Sequence, residues 1–89
     1  MEKTFIDITI FCNITDKLIE NFIIPLNKEI VIFLLEINND NNLQWEHEIS
    51  YNDICKLGLE KLIIEYKDRD VSFFIGSAIV FLEDSFKIS

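Results

Sequence analysis

The sequence predicts an α+β fold, an antiparallel sheet with one or two helices on one face. Three observations predict it. Thr4 to Cys12 alternates with period two and is rich in β-branched residues. Glu29 to Ser50 reads as two strand-like arms around an Asn/Asp turn. Ser50 to Tyr66 begins with a capping signal and continues with a helical apolar stripe.

Taken in order, Thr4–Cys12 is the first predicted strand. Ile6, Ile8, Ile10 and Cys12 form an apolar face; Phe5, Asp7, Thr9 and Phe11 form a mixed one. Asn13 to Leu26 reads in two ways. As a helix it is capped by Thr15 or Asp16, carries Leu18, Ile19, Phe22 and Ile23 on one side, and ends before Pro25. As a strand it places Leu18, Phe22, Ile24 and Leu26 on one face, with Glu20 interrupting. The helical reading is preferred.

Glu29–Ile37 is apolar on both sides until Glu36 and reads as a strand covered on both faces. Asn38–Asn42 is the turn of the predicted hairpin. In the second arm, Leu43, Trp45, His47 and Ile49 are expected inward; Gln44, Glu46 and Glu48 are expected outward. Ser50-Tyr-Asn-Asp53 is a partial capping box, since the acid is Asp rather than Glu. The helix behind it is expected to run to about Tyr66, burying Cys55, Leu59, Leu62, Ile63 and Tyr66. Lys67–Asp70 is a charged turn. Val71–Leu82 reads as one long bent strand; the alternative is a hairpin turning at Gly76-Ser77. Phe86 and Ile88 fall in a tail expected to fold back or fray.

The resulting order, β-α-β-β-α-β, is the ferredoxin-like arrangement. The alternative is a β-meander with one covering helix. Three strands apolar on both faces exceed what two helices cover, so a second layer is expected, most simply a twofold copy of the chain.

With 89 residues, one domain (residues 1–89) is the expected count. Apolar residues make up 49% of the chain, which excludes a disordered chain. Only two Gly and one Pro are present, so turns must rely on Asn and Asp. The absence of a signal-peptide pattern or of an apolar run near the ~18 residues of a membrane span leads to a cytoplasmic expectation. Cys12 and Cys55 are expected as buried thiols.

Sixteen acidic against eight basic residues give a net charge of −8. That charge opposes binding to phosphates and to anionic membranes and favours a basic protein partner. The predicted order also matches the RNA-recognition domain, and Ile8-Thr-Ile-Phe-Cys-Asn13 resembles its first signature. The second, basic and aromatic signature is missing: Leu43 to Glu48 places carboxylates where bases would stack, so direct nucleic-acid binding is not expected.

No catalytic, cofactor or metal site is expected. In Glu46-His47-Glu48 strand alternation turns both carboxylates away from the imidazole, and no second His is available. No nucleophile elbow and no phosphate-binding glycine loop occurs. The candidate partner-binding residues are Asp40, Gln44, Glu46, Glu48, Asp53 and Glu60. They suggest a small acidic inhibitor of a nuclease or other basic effector, of the immunity-protein, antitoxin or phage anti-defence (anti-CRISPR) kind. The alternatives are an assembly module that forms a homodimer through its sheet and a small-molecule sensor.

Overall fold

The computed structural model describes residues 2–40 and 43–81, without the side chains of 2, 3 and 79–81. It is an α+β fold with one four-stranded antiparallel sheet and three helices. The elements are β1 (Glu2–Cys12), β2 (Leu18–Ile24), α1 (Lys28–Leu35), β3 (His47–Ile49), α2 (Tyr51–Lys56), α3 (Glu60–Tyr66) and β4 (Val71–Phe81). The sheet order is β2-β1-β4-β3. This β-β-α-β-α-α-β order differs from the expected ferredoxin-like order: two segments change type and the predicted second helix is split in two.

The first is Asn13–Leu26, which forms a strand rather than a helix. Residues 13–17 make a tight connection between β1 and β2. The Cys12 N–H donates to the Lys17 carbonyl at 2.9 Å, and Asp16 takes a left-handed conformation, φ 58°. Asp tolerates that conformation better than most residues because its short polar side chain can hydrogen-bond to nearby backbone. Glu20, which interrupts the strand pattern, has a specific partner: the Tyr66 hydroxyl from α3 donates to its Oε1 at 3.0 Å.

The second is Glu29–Leu35, which forms α1 rather than the first arm of a hairpin. Asn27 caps it, its Oδ1 accepting from the Ile30 N–H at 2.9 Å, and Glu29 sits in the first turn. Glu36 ends it in a left-handed conformation, φ 55°. Val31 is fully buried, whereas Ile30 and Phe33 face outward, Phe33 at 80% exposure. An eight-residue helix that is apolar all round has the same pattern as a buried strand, so periodicity alone does not separate the two. Of the second arm only His47–Ile49 is strand, and it pairs with β4.

The Ser50 capping box forms as expected. Ser50 Oγ accepts from the Asp53 N–H at 3.2 Å, and Asp53 Oδ2 accepts from the Ser50 N–H at 3.0 Å. The helix behind it is broken in two at Gly58, φ +76°. The break rotates the buried face, so that Ile54 and Leu57 are buried and Cys55 is exposed. Cys12 is half-buried, so neither thiol is sealed in the core. β4 is one strand, paired with β1 from Cys12↔Val71 to Glu2↔Phe81, and Gly76 lies in register opposite Asp7. Its predicted end at Leu82, part of the Asn38–Asn42 turn and the tail with Phe86 and Ile88 lie outside the described residues.

The core lies between the sheet and the helices. Ile6, Ile8 and Ile10 of β1 and Phe73 and Ile75 of β4 meet Val31, Ile54, Leu57 and Tyr66. Tyr66 and Tyr51 contact the Phe73 ring edge-to-face, with centroids 6.0 and 6.1 Å away. The second sheet face is mixed. Phe11 and Phe74 pack edge-to-face at 5.6 Å, beside a polar chain that runs from Asp7 through Asn21 and Thr9 to Glu46. Thr9 is only 3% exposed although it lies on this face.

Candidate partner-binding site

The loop from Glu36 to Glu46 is organised by one carboxylate. Asp40 Oδ1 accepts from the Gln44 N–H at 2.9 Å; Oδ2 accepts from the Trp45 N–H at 2.9 Å. His47 Nε2 lies 3.0 Å from the same Oδ2. Partial burial pulls the Asp40 carboxyl upward, but the Trp45 N–H, the His47 ring and the Gln44 N–H outweigh it and hold it below its usual range. An ionised carboxylate only accepts, so the His47 tautomer that bonds to it is the one protonated at Nε2. Leu43, in a left-handed conformation of φ 50°, turns inward and is completely buried. Asp40 thus ties the described residues of the loop to their own backbone, and Leu43 ties them to the core.

Beside this loop lies a groove of about 410 Å³. One wall is the end of α1 and the start of the loop, Leu35 to Asn39; the other is β3, with Asp53 of α2 completing it. Glu36, Glu48 and Asp53 line it, and there is no lysine or arginine among its described lining residues. Of the lining carboxylates, Glu36 is largely exposed and has Lys56 Nζ 3.9 Å away. Such an exposed contact contributes little.

Only two of the six predicted residues, Glu48 and Asp53, line this groove. Asp40 is 7% exposed and its oxygens are engaged, so it shapes the loop rather than presenting charge. Gln44 is exposed on the loop. Glu46 accepts from Thr9 Oγ1 at 3.3 Å on the second sheet face. Glu60 occupies the first turn of α3, outside the groove. Trp45, expected inward, is 71% exposed, and His47, also expected inward, is half-buried with its ring against Asp40. Sequence reasoning missed Glu36, whose place at the end of a helix was hidden by the strand reading. Among the described residues no group of three or more His, Cys, Asp or Glu is placed to hold a metal ion. No helix of the described residues is long and apolar enough to cross a membrane.

Comparison with known proteins finds no matching family model, and neither a curated protein nor a solved structure matches the chain.

Proposed function

We propose that the chain is a small, non-catalytic binding protein whose acidic groove receives a basic protein partner. The observation that carries this reading is the set of Glu36, Glu48 and Asp53 around a groove with no described lysine or arginine lining it, on a chain of net charge −8. Carboxylates in a concave site focus the field and speed association with a cationic surface. The partner class that fits is a nuclease or other effector with a basic nucleic-acid channel, so the protein acts as an inhibitor in the manner of an immunity protein, an antitoxin or a phage anti-defence protein. It works in the compartment where that effector works, which for these classes is the cytoplasm.

The test is capture of partners from host extract by the wild type and by the Glu36→Lys/Glu48→Lys variant, both residues being exposed. A basic protein retained by the wild type and lost by the variant is the expected result. Equal retention refutes the electrostatic reading. A second reading, assembly of a homodimer through the second sheet face, is favoured by Ile23, 49% exposed beside the half-buried Phe5, Phe11 and Phe74. Sedimentation as a monomer at high concentration removes it.

A further inference from the structure

We propose that the free edge of β3 accepts an extended, lysine- or arginine-bearing segment of the partner as a fifth strand. This rests on the basic-partner reading and specifies how the groove is filled. β3 is the last strand of the sheet, and on its outer side no backbone hydrogen bond to a described residue is made. In an antiparallel ladder, backbone groups alternate between the two sides of a strand. Either Glu48, or His47 together with Ile49, therefore aims its N–H and C=O away from β4. That side is the groove, because β3 forms one of its walls and Leu35 to Asn39 the other.

A small cation would leave the N–H groups unmatched and a helix would leave both, since a helix bonds its own backbone internally. An added strand pairs them, its main-chain bonds giving affinity and its alternating side chains giving selectivity. The register states the side-chain chemistry. Glu48 pairs with Phe74 and so rises on the second sheet face; His47 and Ile49 share the helix side, where Asp53 stands. A guest residue opposite Glu48 gains from being cationic, as opposite charges across strands stabilise and like charges do not. The same rule disfavours a second copy of β3 as the guest, because a twofold pairing centred on Glu48 brings the two Glu48 residues together, and one centred on His47 sets Glu48 opposite Glu46. Three residues of β3 span about 10 Å, so the docked portion is short.

The probe is an acetylated, amidated (Lys-Val)4 peptide, titrated at low salt into the isotope-labelled full chain and followed by NMR. Two isomers are compared with it, one N-methylated at every lysine and one at every valine. The expected result is binding of the parent, with shifts and amide protection at residues 47–49. One isomer weakens by at least about tenfold and the other keeps its affinity, because only one row of N–H groups faces β3. Glu48→Lys, checked for an intact spectrum, weakens the parent as well. If the parent and both isomers bind equally, strand addition is overturned while the acidic-groove reading stands. If the parent does not bind, or shifts residues away from the groove, both are overturned.

Discussion

Replacing Thr9 by Val asks whether the second sheet face is held by its own polar chain. The Thr9 hydroxyl accepts from Asn21 Nδ2 at 2.8 Å and donates to Glu46 Oε1 at 3.3 Å. Val preserves the shape and removes both bonds. A net hydrogen bond contributes about 0.5–1.5 kcal/mol, and the longer of these belongs at the low end. Asn21 keeps its bonds to Asp7 Oδ2 and the Ile8 carbonyl, and Glu46 can turn to water, so neither is left buried and unpaired. The expected loss is therefore about 1–2 kcal/mol. For a chain of this size that lowers the melting temperature by very roughly 4–16 °C. Urea denaturation gives the value directly, with a lower midpoint and an unchanged slope. If Thr9→Val is as stable as the wild type or more so, the hydroxyl contributes nothing. The face then depends on Phe5, Phe11, Phe74 and a covering layer.

Three further outcomes follow from particular residues. Gly58→Ala costs about 1 kcal/mol in thermal unfolding, because φ is +76° while nothing lies within 4 Å of the new methyl; no change would place the α2–α3 break elsewhere. Ile75→Ala, at a fully buried central position, costs about 2–5 kcal/mol, measured by the same denaturation. Folding depresses the Asp40 carboxyl below its ordinary value of 3.8, so its contribution is present above that value and is lost as pH falls through the lower folded one. The amide signals of Gln44 and Trp45 accordingly titrate with a midpoint below 3.8; a higher midpoint contradicts the clasp.

Elements whose periodicity and local chemistry agree were legible in the sequence. β1 alternates Ile6, Ile8 and Ile10 with Asp7 and Thr9, and the three isoleucines are buried as that pattern says; Thr9 is buried as well, within the polar chain of the second face. Ser50 and Asp53 announce a helix start and form both bonds of the box. α1 was not legible, because Ile30 to Leu35 is apolar in every direction and only the Asn27 cap distinguishes helix from strand. β2 was not legible because Glu20 breaks its apolar face, and the Tyr66 hydroxyl that satisfies it lies 46 positions away. The site was legible in part. The excess of carboxylates is a property of composition, but their grouping depends on the fold. Glu48 and Asp53 meet Glu36 only because α1 ends beside β3, whereas Asp40, close to them in sequence, is taken up by its own loop.

The most direct test of the central claim is calorimetric titration of the full chain with the (Lys-Val)4 peptide, comparing wild type with Glu36→Lys/Glu48→Lys at two salt concentrations. An acidic groove that receives a basic partner predicts binding by the wild type that weakens with salt, and its loss in the folded variant. Equal binding by both proteins, or binding indifferent to salt, would contradict it.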